Sequence, residues 1–196
     1  MKSDFIYVPI VKWKKGEQEA LKHLTDEQKN KILPIIEIVN YEDPKIIIND
    51  LKNCYINPVY IDTVIADEND RDYLISIIDK GHENNLKIYP VCYIDDLADL
   101  STKLPDHTSR LSVKIPVPED VDGPSYENIF PLLKKFQSDN EVLLDIILDL
   151  NLIIDKREAN RQFKEAQEVL NNYLFNENFY NLIKISATSF PESLGA

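Results

Sequence analysis

The feature that most constrains the fold is a regular alternation of short apolar runs with polar, amphipathic stretches along all 196 residues. The apolar runs are rich in Ile, Val and Tyr and are too short for typical helices, so each one predicts a β-strand. The predicted strands cover residues 5–13, 32–39, 58–65, 87–94, 110–117, 142–150 and 181–190.

Helices are predicted between these strands. In residues 43–54, Asp43 has the character of an N-cap and Pro44 that of a first helical residue. Residues 70–85 carry apolar side chains at helical spacing up to Gly81. The other predicted helices cover residues 16–31, 125–136 and 157–175, and residues 95–109 predict one short helix and a loop.

Alternation of nearly continuous apolar strands with helices predicts an α/β fold with a parallel sheet that is buried on both faces. The chain has seven βα-type units, one fewer than the eight that close a (β/α)₈ barrel. We therefore predict a single TIM-barrel-like domain over residues 1–196, with about seven parallel strands in an incomplete or open barrel. A doubly wound sheet is the alternative, although such a sheet normally carries a nucleotide-binding loop where this chain has "KWKKGE".

Charge and composition exclude several classes of protein. The formal net charge of -12 argues against a nucleic-acid partner, because neutralising phosphates requires a basic surface. No apolar run reaches the roughly 18 residues that span a bilayer, and no signal-peptide pattern begins the sequence, so no membrane association is expected. Two cysteines, Cys54 and Cys92, are too few for a disulfide framework; we expect buried free thiols and a cytoplasmic protein.

Motifs for common cofactors and metals are missing from the sequence. Neither of the two common glycine-rich phosphate-binding loops occurs, so any cofactor stays unidentified. The three histidines, His23, His82 and His107, share no ligand spacing with one another or with the cysteines. No metal site is therefore predicted.

Polar groups recur near the C-terminal end of every predicted strand. In a parallel barrel these ends meet at one mouth, where the active sites of such enzymes lie. Charged side chains inside strands are costly, so their recurrence at one depth indicates a site. The predicted site residues are Lys12, Lys14, Glu37, Asp62, Tyr93, Lys114 and Asp149, with Thr188 or Ser189 from the last strand.

Two interpretations of these charges stay open. The lysines and carboxylates could pair with one another as a ring that closes the barrel, or they could bind a ligand, with lysines on an anion and carboxylates on hydroxyls or a metal. Side-chain alternation also places Asp145 on the same face as Asp149 but deeper. A carboxylate at that depth needs a cation or water beside it.

Four segments resemble the phage-associated "protein beta" family over essentially the whole chain. They are "YVPIVKWKKGEQEAL" at 7–21, "ILPIIEIV" at 32–39, "LDL" at 148–150 and "ATSFPESL" at 187–194. The resemblance implies a barrel-like α/β fold encoded in phages and bacterial mobile or defence loci, and it implies no reaction. Family members are commonly longer, which makes this chain a short member or a fragment. The motif positions are occupied by Lys12, Lys14, Gly16, Glu17, Pro34, Glu37, Asp149, Ser189, Phe190 and Pro191.

Two functional hypotheses follow. In the first, the mouth binds a small anionic, phosphorylated ligand through Lys12 and Lys114, with Glu37 and Asp149 as candidate acid–base groups or hydroxyl ligands. In the second, the chain is a non-catalytic interaction module or inhibitor in phage–host conflict. The open edges of a seven-stranded barrel would then pair with a second copy or a partner chain. A nuclease is a weaker third hypothesis, because the negative field would repel its substrate.

Overall fold

The computed structural model describes residues 7–63 and 68–188. Within these ranges strands and helices alternate as predicted. The strands are β1 Ile10–Lys12, β2 Ile35–Ile38, β3 Val59–Thr63, β4 Ile88–Tyr93, β5 Arg110–Pro116, β6 Leu143–Leu152 and β7 Leu182–Thr188. The helices are α1 Lys15–Lys22, α2 Asp26–Lys29, α3 Pro44–Cys54, α4 Glu68–Glu83, α5 Leu97–Ser101, α6 Tyr126–Asp139 and α7 Lys156–Val169. A 3₁₀ turn, Ile94–Asp96, precedes α5, and a π-helical turn, Leu170–Leu174, follows α7.

The strands are parallel and follow one another in the sheet in chain order, β1-β2-β3-β4-β5-β6-β7. This order, with a helix between successive strands, confirms the predicted α/β class of the open-barrel type with seven parallel strands. A doubly wound sheet reverses its strand order beside the first strand. No reversal occurs among the described strands, so the doubly wound alternative is wrong.

The chain divides into two compact units. Unit 1 consists of Met1–Cys92 and Asp96–Ser112, and unit 2 of Tyr93–Asp95 and Val113–Ala196. The described part of unit 1 contains β1 to β3 and α1 to α5, together with most of β4 and the start of β5. The described part of unit 2 contains the last residue of β4, the rest of β5, the whole of β6 and β7, and the helices α6 and α7.

Helix α3 shows how the core of unit 1 is built from its sequence. The Asp43 side chain accepts a hydrogen bond from the Lys45 N–H, and Pro44 begins the helix, which confirms the predicted cap. Apolar residues one turn apart then place Ile47, Ile48 and Leu51 on a single face that is fully buried.

Unit 2 is built around β6 and the part of β5 from Val113 onward, and the side chains of Val113, Ile115, Ile146 and Leu148 are fully buried. Helix α6 packs its apolar face into this unit through Ile129, Phe130 and Leu133. The Tyr126 hydroxyl donates a hydrogen bond to the Pro116 carbonyl, which ties the start of α6 to the end of β5. Burial, more than the neighbouring carboxylates, raises the pKa of Tyr126 above its ordinary value.

The stretch predicted as one helix over residues 16–31 forms two helices instead. Thr25 caps α2: its hydroxyl accepts from the Gln28 N–H, and the Gln28 side chain accepts from the Thr25 N–H. This reciprocal capping box ends the first helix, because the Thr25 backbone becomes extended. Apolar periodicity alone did not reveal the break.

Strand β1 is shorter than its predicted range of 5–13, and proline explains why. The Tyr7 N–H donates to the Lys31 carbonyl and the Pro9 carbonyl accepts from the Ile35 N–H, so the backbone groups of both residues face β2. Pro9 has no N–H to contribute there, so one bond of the β1–β2 ladder is missing. Regular pairing therefore begins only at Ile10, beyond an isolated bridge at Tyr7. Residues 5 and 6 lie outside the described ranges.

Among the described residues, no helix combines the length and the apolar character that crossing a bilayer requires.

Both cysteines are free and buried, as predicted. Burial raises the pKa of the Cys54 thiol to about 11, with a smaller contribution from the Asp50 charge. Burial also raises the pKa of Cys92, and the charges of Asp96 and Asp62 act in the same direction.

Because the thiolate is the reactive form, neither cysteine of the folded chain should react with Ellman's reagent at about pH 8, and both should react in denaturant. The measurement is thiol titration by absorbance with and without guanidinium. A folded chain that releases thionitrobenzoate as fast as the denatured chain would contradict the burial of these thiols.

Candidate functional site

Strand register aligns three of the predicted site residues in unit 1. Lys12 lies directly opposite Glu37, and Glu37 lies directly opposite Asp62. Residues in register on parallel strands share one face, so the three side chains form a row across the C-terminal ends of β1, β2 and β3. Along this row Lys12 is exposed, Glu37 is partly buried and Asp62 is 7% exposed.

The first two members of the row are not paired with each other. Neither the Lys12 ammonium nor the Glu37 carboxylate makes a hydrogen bond or an ion pair with any described residue. Opposite charges at directly opposed strand positions are close enough to pair. Within the described part of the chain, Lys12 and Glu37 therefore do not belong to a ring of ion pairs, and their side-chain polar atoms have no partner there.

The turn after β1 leads directly into the start of α1. The Lys14 N–H donates to the Lys12 carbonyl, and Lys14 itself is the N-cap of α1 without a side-chain capping bond. The first N–H groups of a helix have no partners inside the helix and favour negative charge. Two further features affect anion binding at this turn. The space beside the Gly16 Cα is open, because an added Cβ would meet nothing within 4 Å. The Glu17 carboxylate in the first turn of α1 opposes an anion.

A second polar group occurs at strand ends in unit 2. The Lys114 ammonium lies over the Tyr93 ring, 5.2 Å from its centroid, and Lys114 is 6% exposed. Asp149 Oδ1 accepts hydrogen bonds from the Ser186 hydroxyl at 2.9 Å and from the Asn151 N–H at 3.2 Å. These contacts hold the Asp149 carboxylate at the end of β6.

A bulge in β6 shapes this second group. The register with β7 shifts between Asp149 and Leu152, and Asn151 adopts a left-handed backbone with φ 55°. Asparagine tolerates that conformation better than most residues. The left-handed residue directs the Asn151 N–H back to the Asp149 side chain.

The carboxylate predicted to need a cation has one. Asp145 is fully buried, and its Oδ2 lies 3.4 Å from Lys184 Nζ, while its Oδ1 accepts from Asn181 Nδ2 at 3.0 Å. Lys184 was not among the predicted site residues. The sequence did contain a signal for Lys184, because it lies two residues before Ser186 on the predicted strand and so shares its face. The flanking residues Ile183 and Ile185 made the segment resemble an ordinary apolar strand.

Sequence reasoning also missed Arg110 in unit 1. Its guanidinium carbon lies 5.6 Å from the ring centroids of both Tyr60 and Tyr89, and Arg110 is 8% exposed. Arginine over aromatic rings is a favourable arrangement at a buried site. Alternation along β5 would have shown it, because Arg110 shares its face with Lys114.

The predicted site is thus described as two groups. Lys12, Glu37 and Asp62 belong to unit 1, with exposed Lys14 beside them in the chain; Tyr93, Lys114 and Asp149 belong to unit 2. Thr188 pairs with Leu152 through its backbone, and Ser189 lies outside the described residues. Catalytic roles for Glu37 and Asp149 stay predictions. Within residues 7–63 and 68–188, no three His, Cys, Asp or Glu side chains are arranged to hold a metal ion.

A family model described as Beta protein matches residues 7–196, nearly the whole chain. No curated protein and no solved structure matches the chain.

Replacing Lys184 by Met should lower the free energy of unfolding by about 3 kcal/mol, because it removes a cation from a buried carboxylate. Chemical denaturation followed by circular dichroism measures the loss. The exposed Lys135→Met is the matched control and should change stability by less than about 0.5 kcal/mol.

The double variant Asp145→Leu with Lys184→Met should recover part of the loss, because both charges are then removed. A single Lys184→Met variant as stable as the control would contradict the importance of this ion pair.

Proposed function

The chain belongs to the Beta protein family, and we propose that it binds a small phosphorylated ligand with hydroxyl groups at the C-terminal ends of β1 to β3 in unit 1. Membership of this family fits a phage-associated protein. Ligands of parallel α/β proteins bind outside the carboxyl ends of the strands, which is where this row of polar side chains lies.

The observation that carries the proposal is the neighbouring pair Lys12 and Glu37. Two opposite charges in direct register, without an ion pair to each other or to another described residue, have their hydrogen-bonding capacity available for a third molecule. Glu37 is also partly buried, and a carboxylate in that position gains from a hydrogen-bond donor.

The phosphoryl group of the ligand would lie at the turn between β1 and α1. The uncapped start of α1 offers N–H donors and the positive end of the helix dipole. Lys12 and Lys14 add two ammonium groups next to that turn. The Glu17 carboxylate opposes an anion there, so the lysines have to outweigh it.

The hydroxyl groups of the ligand would lie on Glu37 and Asp62. The Glu37 carboxylate has no partner among the described residues and can accept hydrogen bonds from the hydroxyls of a sugar or a ribose, and Asp62 lies in register beside it. The row carries one positive and two negative charges, so a bare anion is a poorer match than a ligand with both phosphoryl and hydroxyl groups. We therefore propose a sugar phosphate or a nucleotide as the ligand class.

Titration calorimetry with a set of sugar phosphates and nucleoside monophosphates tests this proposal. At least one compound should bind, and Lys12→Ala should weaken it at least about tenfold, because a phosphoryl contact worth about 1.4 kcal/mol is lost. Glu37→Gln should weaken the same compound while leaving the weaker binding of inorganic phosphate unchanged.

Lys22→Ala is the matched control, because Lys22 is an exposed lysine in the last turn of α1, at the end away from the proposed site. The proposal is wrong if none of these compounds binds, or if Lys12→Ala and Lys22→Ala bind the ligand equally well.

A further inference from the structure

We propose that β1 of one copy of this chain pairs with β7 of a second copy, so that copies associate head to tail. The inference concerns a surface other than the proposed ligand site and does not depend on it. Among the described strands, β1 has a neighbour only in β2, and β7 has a neighbour only in β6.

The outer edge of β1 has backbone groups that can accept another strand. Tyr7 and Pro9 direct their hydrogen bonds toward β2, as does Trp13, whose N–H donates to the Glu37 carbonyl. The intervening residues Val8 and Ile10 therefore point their N–H and C=O groups away from β2. Prolines often protect an edge strand, but Pro9 does not, because its missing N–H is on the β2 side.

An apolar groove of about 430 Å³ lies beside this edge. Its wall on the strand is formed by Tyr7, Pro9 and Val11, which alternate with Val8 and Ile10. Tyr7 is 63% exposed although its ring is large and mostly apolar. The other walls are formed by α1, α2, the turn between them and the residues that connect α2 to β2: Glu17, Ala20, Leu21, Leu24, Gln28, Lys31 and Ile32.

Strand β7 has a matching apolar face. Ile183 and Ile185 lie opposite Ile146 and Leu148 of β6, which are completely buried. Ile185 is nevertheless 54% exposed, and Ile183 is partly buried. The apolar face that is buried on β6 therefore continues onto β7, where it is partly exposed.

The backbone of β7 also has the required orientation. The Asn181 N–H donates to the Leu144 carbonyl of β6, so alternation directs the N–H and C=O groups of Leu182 and Ser186 away from β6. Those outward groups can meet the outward groups of β1.

A second copy is the occupant that these two edges favour. Placing β7 of one copy beside β1 of another continues the parallel, chain-ordered pairing that the strands already show. In that order the helix-side face of β7, with Ile183 and Ile185, continues into the helix-side face of β1, which forms the groove. The surfaces differ from each other, so the contact is heterologous and can join many copies.

The net charge of the chain opposes this contact. Each copy carries a formal charge of -12, so association should strengthen as salt screens the repulsion. Sedimentation velocity over a range of protein concentrations, at about 0.05 M and about 0.5 M salt, should show larger species at higher concentration and higher salt.

Two surface variants test the pairing without disturbing the core. Ala20→Arg fills the groove from the exposed side of α1, and Ile185→Asp places a charge on the apolar face of β7. Each variant alone should be monomeric. Because each retains the edge that the other has lost, an equimolar mixture should form a heterodimer that grows no further.

Ala98→Arg and Ile46→Asp are the matched controls, since both residues are exposed on helices outside the groove and β7. Both should associate like the unmodified chain. A monomeric unmodified chain at both salt concentrations would overturn the proposal. So would oligomers that both variants leave intact, or a mixture in which no dimer forms. None of these results depends on ligand binding by Lys12.

Discussion

Direct register between parallel strands is the constraint on which the rest of this structure depends. The side chains of each strand alternate between the two faces of the sheet, and residues in register on neighbouring strands lie at the same level on the same face. On β5, Leu111, Val113 and Ile115 are buried on one face, while Arg110, Ser112 and Lys114 occupy the other. The helix-side face can therefore be entirely apolar, and the polar groups of each unit collect on the opposite face.

That polar face is stabilised differently at different depths. Deep in unit 2, Asp145 meets Lys184 and Asn181, so the cost of burying its charge is compensated inside the protein. At the strand ends of unit 1, Lys12 and Glu37 are in register but not paired. The buried Asp145–Lys184 pair therefore serves the stability of the fold. The Lys12 and Glu37 side chains have no partner among the described residues, which is why we place the proposed ligand at the strand ends.

The sequence predicted the α/β class, the seven strands and the alignment of Lys12, Glu37 and Asp62, because all of these follow from local periodicity and strand ends. It did not predict the partners of Asp145 or the position of Arg110 beside the rings of two tyrosines, which depend on pairing between distant segments. The break between α1 and α2 was missed for another reason, since the capping box at Thr25 interrupts an amphipathic pattern that continues through it. The bulge at Asn151 likewise has no periodic signal.

Pro9 has a consequence for the dynamics of the chain. It removes a backbone bond from the inner side of β1, so this strand is fastened to the sheet by fewer hydrogen bonds than its length would allow. Trp13 directly follows the strand and is 6% exposed, so burial of its side chain helps to hold this end of β1 in place. The free energy needed to peel β1 away locally is correspondingly small, and sub-global opening of the sheet should start at this strand.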